Sequence, residues 1–147
     1  MGNRAFIEFK GSECGIYLHW NGGRDSIEGF LTYCEMRGFG TDPVEHSLAL
    51  MTQVIANFFG GSTSVCVGLR SEWGSAADWD NGTYVVDGWR IVGRKDAPLT
   101  EQRVHPLAEF VVAVDEAQPL KEQLGEAAIR EKLATWTPSC KREVADE

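Results

Sequence analysis

The sequence is poor in the residues that most often carry chemistry. It has only three histidines, His19, His46 and His105, and none accompanies a nucleophile signature. Its four cysteines, Cys14, Cys34, Cys66 and Cys140, lie far apart with no C-x-x-C pair. That spacing argues against a zinc site and against a disulfide framework, and reads as ordinary thiols in a reducing compartment. No apolar run reaches the roughly 20 residues of a membrane helix. The opening MGNRAFIEFK has no signal-peptide core, and Phe6 stands where a myristoylation signal carries Ser or Thr. A cytoplasmic protein is therefore expected. Basic residues are also in deficit: 14 Lys and Arg face 22 Asp and Glu, for a net charge of −8. This balance argues against broad binding to a nucleic-acid backbone. It leaves room for a small anion held by a few local cations, or for a basic protein partner.

What is present fits one soluble domain. The chain of 147 residues is 43% apolar and 24% charged, and it has no internal repeat or low-complexity segment. NRAFIEF (3–9) and GIYLHW (15–20) read as an antiparallel hairpin around the polar turn KGSEC. Asp25 then stands as an N-cap with Glu28 completing a capping box, and Ile27, Phe30, Leu31 and Cys34 fall at helical spacing before Gly38. A second helix starts at Asp42 and Pro43, with Glu45 completing its box, and ends at Gly60-Gly61. STSVCVGL (62–69) is a third strand, and TYVVDGWRIVG a second hairpin turning at Asp87-Gly88. Pro106 opens an apolar helix, LAEFVVAVDEA, and a last helix runs from Pro119 to Trp136. The order β-β-α-α-β-β-β-α-α predicts an α+β domain over residues 1–136, an antiparallel sheet of about five strands with helices packed on it. Residues 137–147 read as a flexible tail. The two C-terminal helices carry more apolar surface than one packed face requires, which predicts an oligomer formed through them.

Three stretches offer a ligand site. In NGGRDS, Gly22 and Gly23 sit at the mouth of a helix whose first N–H groups lack partners, and Arg24 could fork a phosphate. Asn21 and Ser26 flank them. An ordinary strand-to-helix turn explains the same residues. In the polar loop 71–82, Trp73 and Trp79 are either lids on the core or a stacking surface. Asp78, Asp80 and Asn81 resemble a fragment of a calcium loop, but the glycine offset is wrong and the closing glutamate is missing, so no metal is expected. Arg90, Arg94, Lys95 and Arg103 make the connector before the third helix basic, which fits a solvated loop or a set of phosphate ligands. No carboxylate pair stands out for acid–base work, so no catalytic residue is nominated and the chain is expected not to be an enzyme.

Taken together, GNRAFIEF, GIYLHWNGGRDSIEGF, TQVIANFFGG and DNGTYVVDGW resemble the first Thoeris anti-defence family, phage-borne sponge proteins, over about residues 2–120. The resemblance implies an α+β protein that sequesters signalling nucleotides, cyclic ADP-ribose isomers or cyclic oligonucleotides, without cleaving them in the infected cell. It implies dimers or higher oligomers whose pockets are completed by a second copy, and no cofactor. Carried over by motif, Gly22, Gly23 and Arg24 would contact a phosphate, and Asn81 with an aromatic such as Trp73 would hold a base or ribose. Arg94 or Arg103 would reach across the interface. A rival reading takes the net charge as that of an acidic phage inhibitor of a CRISPR or restriction complex, acting by protein–protein contact. Such a mimic would show denser acidic runs than VDEA and GEAAIRE.

Overall fold

The β-branched and aromatic run at the start of the chain becomes a hairpin of β1 (Ala5–Phe9) and β2 (Cys14–Leu18), registered from Ala5 opposite Leu18 to Glu8 opposite Gly15. In the computed structural model, which describes residues 2–61, 63–73 and 79–141, two helices follow, α1 (Arg24–Met36) and α2 (Val44–Phe58). Next come β3 (Val65–Leu69), a single helical turn α3 (Arg70–Trp73), and the hairpin β4 (Thr83–Asp87) and β5 (Arg90–Lys95). The chain closes with α4 (Leu107–Glu116) and α5 (Glu126–Thr135), each followed or preceded by a short 3₁₀ turn. The expected α+β class is what the fold shows, and the element order matches apart from the turn α3, which falls where a loop was expected. The sheet order is β3-β2-β1-β4-β5.

One pairing differs from the expected all-antiparallel sheet: β4 lies parallel to β1, from Phe6 opposite Thr83 to Phe9 opposite Val86. β2 already occupies one side of β1. The chain leaving β3 at the far edge therefore crosses back to the other side of β1, and the strand it lays there runs in the same direction. The second hairpin also turns one residue later than expected. Asp87 pairs with Arg90, so the loop is Gly88-Trp89, with the positive φ (66°) that a two-residue turn needs supplied by Gly88.

The helices pack on the sheet face formed by Ile7, Phe9, Ile16, Leu18 and Val86, burying Ile27, Phe30, Leu31, Met51 and Ile55. α4 lies across α1 at Gly29, where an added Cβ would come within 2.2 Å of the Phe110 ring. The rings of Phe30, Phe58 and Phe110 meet there at centroid separations of 5.2–5.4 Å. Phe110, Val111, Val112 and Val114 are all buried, so the apolar surplus of α4 is spent inside its own domain. α4 therefore offers no apolar surplus to an oligomer, because it packs against α1, α2 and α5, whereas Leu120 in the segment that follows stays 83% exposed.

Both expected capping boxes are replaced. The N-cap of α1 is Gly23 and that of α2 is Pro43, and neither makes a side-chain cap; Asp42 lies one residue outside. Asp25 is inside the first turn of α1. Its carboxylate accepts the Ser26 N–H (2.7 Å) and, from the distant connector, the Val104 and His105 N–H groups (2.8 Å each). The last helix is interrupted too. Asp115 is 1% exposed and accepts the Tyr33 hydroxyl (2.6 Å) and the N–H groups of Leu124 (2.8 Å) and Gly125 (2.9 Å), which holds the break before α5. Finally, residues 137–141 of the expected tail are docked. Ser139 gives its N–H and hydroxyl to Glu35, and Cys140 is buried, its sulfur 3.0 Å from the Thr32 hydroxyl. The rest of that tail, 142–147, lies outside the described residues.

Candidate functional site

Eight of the nine nominated ligand residues meet at one end of the sheet, where β1 and β4 begin and β5 ends. Asn21, with a positive φ of 58°, donates from Nδ2 to the Ser26 hydroxyl (3.2 Å). The Gly22 N–H is already given to the Asn3 carbonyl (2.8 Å), and its carbonyl accepts the Tyr84 hydroxyl (2.7 Å). The glycines are required here for a different reason from the expected one. A Cβ on Gly22 would come within 2.5 Å of the Asn3 carbonyl, and one on Gly23 within 2.8 Å of the Gln102 side chain. The turn is packed under β1 and under the 101–105 connector, so it is not an open cradle for an anion.

Arg24 is likewise engaged. Its Nε bonds Glu28 Oε2 at 2.9 Å, and its Nη1 stands 3.7 Å from Glu101. Arg94, only 10% exposed, donates to Glu101 and to the Asn81 carbonyl (2.8 Å), with its guanidinium carbon 4.0 Å from the centre of the Tyr84 ring. The Arg94 Nε and Glu101 Oε1 are buried without a partner among the described residues. Burial of Tyr84 raises its phenol above the ordinary value, so it stays a donor at neutral pH. Asn81 is buried and donates to Asn3 Oδ1 (2.6 Å) and the Arg4 carbonyl (3.1 Å). Asn3 donates in turn to Gln102, whose amide reaches Asp25 at 3.4 Å. Asn81, Asn3, Gln102 and Asp25 thus run as one polar chain beside the arginines.

The network opens to solvent at Glu28. This carboxylate, 4% exposed, takes three cations: Arg24, Arg103 (2.8 Å) and Lys141 (3.4 Å). Arg103 and Lys141 keep about half of their side chains in solvent (50% and 40%). They flank a cleft of about 230 Å³ lined by Asp25, Glu28, His105, Pro106 and Leu107. Sequence reasoning missed Glu28 and Lys141 as members of this site. Glu28 was absorbed into a capping pattern, and Lys141 sits in a segment that reads as a tail. The i, i+4 spacing of Arg24 and Glu28 was the available signal.

Trp73 is the nominated residue that lies elsewhere. It ends α3, on the sheet face opposite the helices, where its ring takes the space above Gly68. The Trp73 and Trp79 rings are 6.2 Å apart and nearly parallel (17°), with Tyr17 at 5.2 and 4.9 Å from them. Arg4 joins this aromatic group to the network. Its side chain pairs with Asp80 (3.1 Å), its guanidinium lies 5.9 Å from the Trp79 ring, and its carbonyl accepts from Asn81. Of the calcium-like fragment, Asp78 lies outside the described residues, and Asp80 and Asn81 are engaged by Arg4 and Asn3. Among the described residues, no group of His, Cys, Asp and Glu is arranged to hold a metal ion, and no helix is long and apolar enough to cross a membrane.

Comparison with protein-family models, with curated proteins and with solved structures finds no match to this chain.

Proposed function

We propose that this protein binds a signalling nucleotide at the Glu28 cleft and sequesters it without cleaving it, as a phage anti-defence sponge. The observation that carries the reading is convergence. Asn21 to Ser26, Asn81, Arg94 and Arg103 come from separate stretches of an acidic chain, yet they form one connected network that ends at a cleft lined by Asp25, Glu28 and Arg103. The resemblance described above assigns nucleotide sequestration to proteins with these motifs. The cleft suits the phosphates of such a ligand. Arg103 and Lys141 can swing from Glu28 to an incoming anion with little desolvation, because both already reach solvent. A cleft of about 230 Å³ is smaller than the roughly 300–1,000 Å³ of a typical small-molecule site. On this reading a second copy of the chain covers the remainder of the ligand.

The test is a thermal-shift and calorimetric panel of cyclic ADP-ribose isomers and cyclic di- and trinucleotides, with recovery of the bound compound after denaturation. One or more of these should raise the melting temperature, bind at the nanomolar to micromolar level and be recovered intact. Arg103→Ala and Lys141→Ala should each weaken binding roughly tenfold to a hundredfold, the loss of a charge-assisted hydrogen bond. Release of a hydrolysed product at turnover stoichiometry would make the protein an enzyme. Silence across the whole panel would move the function to protein–protein contact, the reading that the acidic net charge permits.

A further inference from the structure

We infer that the free edge of β3 pairs with the same strand of a second copy of this chain, antiparallel and centred on Val67. The β2–β3 ladder fixes which backbone groups are spare. The His19 N–H donates to the Ser64 carbonyl (2.9 Å), and the Arg70 N–H to the Glu13 carbonyl (2.8 Å). Hydrogen-bonded residues recur at every second position of an antiparallel pair. Ser64, Cys66, Gly68 and Arg70 therefore turn their backbone groups toward β2, and Val65, Val67 and Leu69 turn theirs outward. β3 is the terminal strand of the sheet, so that outward row faces no strand among the described residues.

The row is its own complement. A two-fold axis through Val67 sets Val67 against Val67 of the partner subunit, Val65 against Leu69 of the partner subunit, and Leu69 against Val65 of the partner subunit. Each is a hydrogen-bonded pair that exchanges two bonds. A shift of two residues either way drops one of these pairs and sets an apolar residue against Thr63 or Ser71. The interface is isologous and closes on itself, as a two-fold dimer must.

The contrast between the two edges says why the occupant is a copy of this chain. The opposite edge, β5, carries Arg90, Arg94 and Lys95 along RIVGRK, and its ladder with β4 is bulged between Val85 and Val86. Charge and bulges are devices that keep an edge from pairing. β3, VCVGL, has no charge and no proline, and its register with β2 is unbroken from Leu18–Val65 to Cys14–Leu69. Val67 and Leu69 stay 47% and 44% exposed, on the sheet face they share with Ile16 and Cys14. An identical strand brings only apolar side chains to meet them. This inference stands independently of the nucleotide reading.

The experiment is light scattering over a concentration series, on the parent and on Val67→Asp and Val67→Lys. The parent should have the mass of a dimer. Each variant alone should have the mass of a monomer with an unchanged far-ultraviolet spectrum, because the axis sets two like charges together. An equimolar mixture of the two variants should return to the dimer mass, because the axis then sets Asp against Lys. That rescue is specific to a residue that pairs with itself. Hydrogen exchange on the parent should show the Val65, Val67 and Leu69 amides gaining protection as concentration rises. A monomeric parent, a variant that keeps the dimer mass, a mixture that stays monomeric, or no protection at these amides would each overturn the inference.

Discussion

Glu28 on α1 and Asp115 on α4 are both buried carboxylates, and they are satisfied in opposite ways. Asp115 takes a phenol and two backbone N–H groups, all neutral and all fixed by the fold. Glu28 takes three cations on long side chains, two of which extend into solvent. Neutral, immobile donors make a buried charge part of the architecture, since no other partner can reach it. Long cationic donors make the contact exchangeable: the same guanidinium and ammonium can leave the carboxylate for an anion that enters the cleft. Burial alone does not separate a staple from a site. On the proposed reading, the exposure of the partners does.

The largest effect should come from breaking the staple. Asp115→Ala strands the Tyr33 hydroxyl and the Leu124 and Gly125 N–H groups in a buried position. It should cost roughly 3–5 kcal/mol in urea unfolding, with a loss of helicity at α5. If the loss is below about 1 kcal/mol, the three donors have found water and the contrast with Glu28 collapses.

Alkaline pH separates the two sides without mutation. Burial pushes the Cys140 thiol up to about 12 and the Cys34 thiol still further, whereas an unfolded thiol titrates near 8.5. Above about pH 8.5 the unfolded chain loses these protons while the folded chain keeps them, so stability falls as pH rises. The slope is about 1.4 kcal/mol per pH unit for each thiol. Tyr33, raised by burial and then by its bond to Asp115, adds its own loss only above about pH 10. Between these two points the decline belongs to the thiols, and Cys140 is the thiol of the turn that carries Lys141 to Glu28. Cys140→Ala should remove one thiol's share of the slope there, as read by urea unfolding across that pH range. An unchanged slope would show the docked turn to be open already.

Glu28→Gln should cost less, about 1–2 kcal/mol, because the cations it releases are partly solvated already. Its second effect has the opposite sign. With the competing carboxylate gone, pyrophosphate should bind the cleft several-fold more tightly than it binds the parent, by calorimetry. Weaker binding would mean that Glu28 orders Arg103 and Lys141 for the anion, and that the contact is not exchangeable.

The class of fold and nearly all its elements were legible, because apolar periodicity and glycine or proline punctuation act locally. What escaped was set by distant partners. The parallel β1–β4 pair depends on which side of β1 is free. Asp25 carries a capping signature, yet its Oδ2 is taken by the N–H groups of Val104 and His105, nearly eighty residues on. The Gly22-Gly23 pair signals close approach correctly, but what approaches is Asn3 and Gln102. Most residues of the polar network were visible in the sequence, but Glu28 and Lys141 were not, nor were the partners of each. Charge on Arg94 is visible in the sequence, whereas Glu101, the carboxylate that holds it, is brought there only by the fold.

A third carboxylate extends the comparison to the surface, where the smallest effect is expected. Asp80 is about a third exposed and accepts the Arg4 N–H (3.0 Å) and two bonds from its guanidinium (3.1 and 3.3 Å). Those hydrogen bonds hold its carboxyl below the ordinary aspartate value. The stabilisation is therefore complete at neutral pH and is lost as pH falls below about 3.9 toward the lowered value. Solvent screens the pair, so the whole contribution should be about 0.5 kcal/mol and should shrink further in high salt. Asp80→Asn should remove that acid-dependent portion and leave neutral stability nearly unchanged. Because the Arg4 guanidinium lies over Trp79, tryptophan emission should respond to the substitution even where stability does not. A loss above about 2 kcal/mol would place Asp80 with Asp115 as a staple, and exposure would then be as poor a guide to role as burial is.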